Sequence, residues 1–391
     1  LVATTLYNLG GLYRHQGDGP KAKQFYERSV AMRERVLGTN HPDLAVSLGD
    51  LAHLHLLQGE WRQARKFFGR STAILARRTQ RERLGQEPTG KRMDETVRFG
   101  RIFAALIQST YRVSERNRSD ASTHAREMFQ AAQWAIGSEA GSALAHMAAR
   151  HATGDSRLAA LVRKRQDLVT EWRSLDQARL GAVSKPMAQR HTAAEAETRN
   201  RIAAIDRELG DIDRRLAKDF PKYSALARPE PATVAEVRRH LKDNEALVLV
   251  LPTPALAPTT GETFIWVVTK ARGRWVRSPL QPRELKALVD ALRCGLDYIG
   301  SWQGERCFDL LKTVYTETDY QSAAPLPFRL TLAHTLYKAL FGGIEDLIEG
   351  KDLLIVPSGS LTQLPFQVLV TTPPTTDEPT RESFAQASWL I

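Results

Sequence analysis

The N-terminal part of the chain repeats itself with a period of 42 residues. Leu6, Leu9, Gly10, Tyr13, Gly17, Ala22, Tyr26 and Ser29 recur as Leu48, Leu51, Ala52, His55, Gly59, Ala64, Phe68 and Ser71. This match constrains the fold more than composition does, because a repeated unit of this size must bury its apolar face against its neighbours. Within each copy, apolar residues recur three and four positions apart on either side of Gly17-Asp18 and Gly59-Glu60. That pattern predicts two short helices joined by a glycine turn. Gly10 with Ala22, and Ala52 with Ala64, allow close approach of the paired helices, while Tyr13, Tyr26 and Phe68 fill the gaps around them. Degenerate helices over 95–114 and 121–136 are expected to add one further pair.

These positions resemble the tetratricopeptide consensus. The insertion carrying His41-Pro42-Asp43-Leu44-Ala45 resembles the kinesin-light-chain variety of that repeat. In the 42-residue register Leu1-Val2-Ala3 falls on Asp43-Leu44-Ala45, so the chain is expected to begin inside a repeat, with further copies upstream. The resemblance implies that the first helix of each pair lines a groove for extended peptides. It would put Tyr7, Asn8, Arg14, Asp50, His53 and Leu56 on the binding face, against the plainer reading of ordinary solvent-facing side chains.

The net charge of +11 raises the question of nucleic acid, and the location of the charge answers it. Between Trp61 and Arg118 there are fifteen Lys and Arg against five Asp and Glu, which accounts for nearly all the excess. No zinc-finger, RNP-type or helix-turn-helix signature accompanies this stretch. A solvated helical surface is the plainest reading, an acidic peptide or protein face the next, and nucleic acid the least favoured. The two cysteines, Cys294 and Cys307, have neither a second Cys pair nor a His pair beside them. Neither a zinc site nor a disulfide framework is indicated, and a reducing, cytoplasmic setting is expected. No apolar run reaches the length of a membrane span.

From Ser156 to Leu216 helix breakers are few except around 181–186. Leu158, Leu161, Leu168, Trp172 and Leu175 mark one arm. Ile202, Ile205, Leu209, Ile212 and Leu216 mark a second whose spacing is that of a packed coiled coil. A helical hairpin turning at Ser184-Lys185-Pro186 is predicted, acting as a spacer before the C-terminal part. Pro221, Pro229 and Pro231 mark the end of the helical region.

Beyond Pro231 the pattern changes. Residues 246–251, 263–268 and 353–356 are short apolar, β-branched runs that predict buried strands, with Trp275 to Leu280 a candidate third in sequence order. Helices are expected near 283–300 and 332–348. Strands alternating with helices imply an α/β domain with a mainly parallel sheet. The domain plan is therefore 1–80 repeats, 81–150 degenerate repeat-like helices, 151–220 hairpin, and 232–391 α/β.

The stretch Lys351-Asp352-Leu353-Leu354-Ile355-Val356-Pro357-Ser358-Gly359-Ser360-Leu361, with Leu336-Tyr337 before it and Leu364-Pro365-Phe366 after, resembles the opening of a CHAT domain. That family has a caspase-like fold and follows tetratricopeptide repeats. The resemblance implies a cysteine peptidase whose His polarises a Cys thiolate, with no metal or other cofactor. The His-Gly and Cys motifs of the family do not occur in these 391 residues, and the chain stops within an apolar run. The domain is thus expected to be its N-terminal part, with no catalytic residue assigned here. Cys294 and Cys307 are expected as small packing residues and His334 as a surface or capping residue. Ser358 lacks the Gly-x-Ser-x-Gly spacing of a nucleophile elbow. Two functions follow: a bacterial repeat-regulated caspase-like peptidase, or a non-enzymatic adaptor whose α/β part is a degenerate docking domain.

Overall fold

The computed structural model describes residues 2–82, 90–136, 155–183, 189–227, 230–296, 305–313, 316–322, 326–376 and 380–390. The chain forms two compact units, one of Leu1–Asp120 with Gln130–Pro231, the other of Ala121–Phe129 with Ala232–Ile391.

The first unit opens with helices α1 (Val2–His15), α2 (Gly19–Leu37), α3 (Pro42–Leu57), α4 (Trp61–Glu82) and α5 (Gly90–Arg116), each packed against the next. The predicted glycine turns fall at Gly17 and Gly59, with φ of 78° and 72°. This left-handed backbone carries no penalty for glycine and a steric one for residues with a Cβ. Asp18 caps α2 by accepting from the Lys21 amide, and the His41 ring caps α3 by accepting from the Asp43 amide through Nδ1. The sequence repeat is also a repeat of bonds. Ser29 Oγ donates to the Ala3 carbonyl at 2.9 Å, and Ser71 Oγ, one period later, donates to the Ala45 carbonyl at 2.6 Å. Gly10 is required by packing, since a Cβ there would stand 2.7 Å from the Tyr26 ring.

Helices α6 (Ala121–Ile136), α7 (Ser156–Val183), α8 (Thr192–Asp219) and α9 (Pro221–Ala227) follow. The arms α7 and α8 are antiparallel, as the pairing of Arg165 with Asp213 and of Glu171 with Arg201 requires. Their seam contains the predicted Leu158, Leu168 and Trp172 against Ile202, Ile205, Leu209, Ile212 and Leu216. The expected turn at Ser184-Lys185-Pro186 lies outside the described residues, as does the part of 81–150 beyond Ile136. The hairpin, expected as a spacer, packs against the repeats within the first unit. Arg179 Nη1 donates to the Leu37 carbonyl at 2.6 Å, and Asp176 accepts from Arg78 at 3.2 Å.

The second unit contains α10 (Val234–His240), β1 (Glu245–Pro252), β2 (Thr263–Thr269), β3 (Gly273–Arg277), α11 (Pro282–Leu296), α12 (Glu305–Leu311), α13 (Glu317–Ser322), α14 (Leu330–Phe341), α15 (Glu345–Ile348), β4 (Asp352–Val356) and α16 (Arg381–Gln386). It is the expected α/β domain, but its sheet is mixed rather than mainly parallel. The strand order is β3-β2-β1-β4, with β1·β2 and β2·β3 antiparallel and β1·β4 alone parallel. No helix intervenes between the first three strands, so they run as a meander, and the connection carrying α11 to α15 reaches β4. Val248, Val250, Ile265 and Val267 pack with Leu285, Val289 and Leu292 of α11 and Leu336 and Leu340 of α14. Against expectation, the first half of α6 belongs to this unit, where the Trp266 indole donates to the Ala125 carbonyl at 3.1 Å. Among the described residues, no helix is long and apolar enough to cross a membrane.

Candidate partner-binding face of the repeats

Helices α1 and α3 occupy equivalent places in the two repeats, and the predicted site residues lie on them. The structure links these helices directly. Tyr7 Oη donates to Asp50 Oδ2 at 2.5 Å, and Arg14 Nη1 lies 3.4 Å from His53 Nδ1. Both tyrosine and aspartate are half-buried, whereas Asn8 is exposed and makes no hydrogen bond within the described residues. Tyr7, Asn8, Arg14, Asp50 and His53 thus combine a fixed bridge with an unengaged amide. Leu56 does not join them. It is 0% exposed and lies in the apolar packing of α3, which is buried nearly all round, so its assignment to the binding face is corrected.

Sequence reasoning missed the residue that supports this bridge. Arg33 is 5% exposed, its guanidinium lies 4.8 Å from the Tyr7 ring centre, and Nη1 donates at 2.6 Å to both the Asp43 carbonyl and Ser47 Oγ. Burial lowers the Arg33 pKa, opposed by the charge of Asp43, and the stacked ring and two short bonds compensate for lost hydration. Burial likewise raises the Tyr26 hydroxyl, assisted by the Asp50 charge. Arg33 has no counterpart in the period, since Leu75 stands 42 residues on, so no repeat signal could reveal it.

A second missed cluster surrounds Asp176, which is 4% exposed. Its Oδ1 accepts from Arg179 Nη2 at 2.6 Å and lies 3.9 Å from His41 Nε2, and its Oδ2 accepts from Arg78. The Arg78 guanidinium also stacks 5.0 Å from the Trp172 ring centre. His41 is neutral here, because burial lowers its pKa to about 4, opposed by Asp176. The basic stretch read from the sequence has a local focus as well. A cavity of about 470 Å³ opens between the α3–α4 turn and the end of α5, lined in part by Trp61, Arg62, Val113 and Arg116.

The nucleophile candidates of the second unit are all engaged structurally. Cys294 and Cys307 form a disulfide, with Cα atoms 5.8 Å apart, joining the end of α11 to α12. The expectation of two unlinked packing cysteines is therefore corrected, and with it the cysteine-based ground for a reducing compartment. The reason is topological, since α12 returns alongside α11 and brings residues thirteen apart into register. Ser358 Oγ donates to the Val250 carbonyl at 2.8 Å, tying the turn after β4 to β1. His334 Nδ1 lies 3.0 Å from the Val370 carbonyl and is half-buried inside α14, rather than capping it. Among the described residues, no group of three or more His, Cys, Asp or Glu could hold a metal.

Two equivalent helix pairs, with the same serine bond in each, form one stackable unit. Residues 1–77 match the tetratricopeptide repeat family model. Tetratricopeptide repeats generally mediate protein–protein interaction, and the matched segment contains all the residues of the Tyr7–Asp50 face. No curated protein matches the chain.

Proposed function

We propose that the chain is a protein-interaction module in which the α1 and α3 face receives an extended segment of a protein partner. The observation that carries this reading is the Tyr7–Asp50 bond, which fixes the first helices of successive tetratricopeptide repeats while the Asn8 amide beside it stays exposed. A primary amide offers one acceptor and two donors, enough to pair with a peptide backbone irrespective of its side chains. Arg62 and Arg116 against the single Glu60 leave the lining of the cavity net basic, which favours an acidic segment over a basic one. The test is capture of a co-purifying partner by the wild type and by an Asn8→Ala, Asp50→Ala double variant. Capture should fall at least tenfold, and undiminished capture removes this face.

A second reading concerns the α/β unit, which we infer to be the N-terminal part of a CHAT-type, caspase-like domain regulated by the repeats. Two observations favour it: the order of repeats, helical hairpin and α/β unit, and the strand over 352–356 leading into Pro357-Ser358-Gly359. Since Cys294 and Cys307 are joined and Ser358 and His334 are bonded to backbone carbonyls, the nucleophile and base in this reading lie outside the 391 residues. Peptidase assay of the complete gene product tests it. Cleavage of the partner that is abolished by a Cys→Ala change in the family motif supports it. A gene product without the His-Gly and Cys motifs leaves the adaptor alone.

A further inference from the structure

Several arginines of the basic stretch are engaged within the chain. Arg70 pairs with Glu34, Arg77 donates to Asn40 Oδ1, Arg78 is held by Asp176, and Arg112 faces Glu115. Arg62 and Arg116 differ from these. Both are exposed, and neither makes a hydrogen bond or ion pair within the described residues. They stand on different helices, at the start of α4 and the end of α5, yet both line the cavity of about 470 Å³. A volume of that size is within the range of about 300–1,000 Å³ in which ligand sites fall. Glu60, the acidic residue of the lining, is drawn to another partner, with Oε2 2.5 Å from His55 Nδ1. The rest of the wall is in part apolar, from half-buried Trp61 and buried Val113. The cavity opens about one turn beyond His53, the residue through which α3 meets Arg14 of α1.

We propose that this cavity anchors an acidic stretch of the protein segment that the repeats receive, with two carboxylates on Arg62 and Arg116 and an apolar side chain against Trp61 and Val113. The proposal rests on the reading of the repeats as a receiver of an extended segment, and it states what that segment must carry. Two carboxylates match the two guanidiniums in charge, and a guanidinium offers a planar fork of donors that fits a carboxylate. A single carboxylate leaves one arginine unmatched, and a basic segment is repelled by both. The apolar part of the wall keeps water from the ion pairs, which strengthens them beyond those of an open surface.

The test is fluorescence anisotropy of a labelled peptide, Gly-Glu-Leu-Glu-Leu-Gly, on the whole chain, against the same peptide with Gln for both Glu. The first should bind at least tenfold more tightly than the second. Arg62→Gln and Arg116→Gln should each weaken binding at least fivefold with thermal unfolding unchanged, since neither side chain makes a bond in the structure. Arg101→Gln removes the same charge from an exposed position of α5 outside the cavity lining, and should leave binding as it is. The Asn8→Ala, Asp50→Ala chain should bind the short peptide as the wild type does, so failure of the α1 and α3 face and failure of the cavity give different patterns. No binding by the wild type, equal binding of the Gln peptide, or an equal loss in Arg101→Gln overturns the proposal. So does displacement of the peptide by millimolar succinate, which assigns the cavity to a free dicarboxylate.

Discussion

Arg78 of the second repeat and Asp176 of the helical hairpin meet at 3.2 Å, in a pocket where the carboxylate has almost no access to water. Removing the carboxylate strands Arg179 and Arg78 beside a neutral His41. Asp176→Ala should therefore destabilise the first unit by about 3–5 kcal/mol, the usual cost of leaving one partner of a buried pair unmatched. Urea unfolding followed by far-ultraviolet circular dichroism measures it. A loss below about 1 kcal/mol would show that the cluster does not hold the hairpin to the repeats.

His41 makes the same contact sensitive to acid. Its pKa falls from 6.5 to about 4 on folding, so the unfolded chain binds the extra proton first. The stabilisation is complete above about pH 6.5 and is lost as pH falls toward 4, on the order of 3 kcal/mol in all. His41→Asn keeps a capping acceptor for the Asp43 amide without a titrating ring. Its stability should fall less steeply than that of the wild type between pH 6.5 and 4 in parallel urea titrations.

Tyr7 and Asn8 separate packing from recognition. Tyr7→Phe leaves the half-buried Asp50 carboxylate without its short donor and should cost about 1 kcal/mol by urea unfolding. Asn8→Ala removes an exposed side chain with no bond in the described structure and should change stability by less than about 0.5 kcal/mol. Partner capture should drop in both.

Gly10→Ala tests the helix packing that defines the first repeat. The added methyl meets the Tyr26 ring itself, not a flexible tip, and should destabilise by about 1–3 kcal/mol. Gly69→Ala on α4, where nothing stands within 4 Å, is the control, and it should stabilise by about 0.5–1 kcal/mol through the helix propensity of alanine.

Cys294 and Cys307 give a chemical test. The denatured but unreduced chain should show no reactive thiol, and two after reduction. Changing both to alanine should cost about 3 kcal/mol, as for other short closed loops.

The repeats were legible because their determinants are local and recur. Gly17 and Gly59, Ser29 and Ser71 perform the same tasks one period apart. The hairpin seam and strands β1 and β2 were legible for a similar reason, since each is a run whose pattern states its burial, whereas β4, expected as a buried strand, alternates between exposed and half-buried residues because it stands at the end of the strand order. Sheet polarity was not, because it depends on connections: consecutive strands without a helix between them turn back on one another. Leu56 was misplaced because α3 is apolar on nearly every side, so spacing alone cannot say which side faces out. Arg33 and Asp176 were invisible because each depends on groups of another helix, Arg33 on the Asp43 carbonyl and the Ser47 hydroxyl and Asp176 on Arg78 beside its own neighbour Arg179, and a charged residue in a helix reads as solvated by default.

The measurement closest to the central claim is site-specific photocross-linking on the intact chain. A photoreactive residue at Asn8 on α1 is compared with one at Gln24, exposed on α2. A partner polypeptide joined to position 8 and absent from position 24, with the adduct lost in the Asp50→Ala background, is the predicted result. Cross-linking at Gln24 alone, or equally at both positions, would contradict the assignment of the α1 and α3 face.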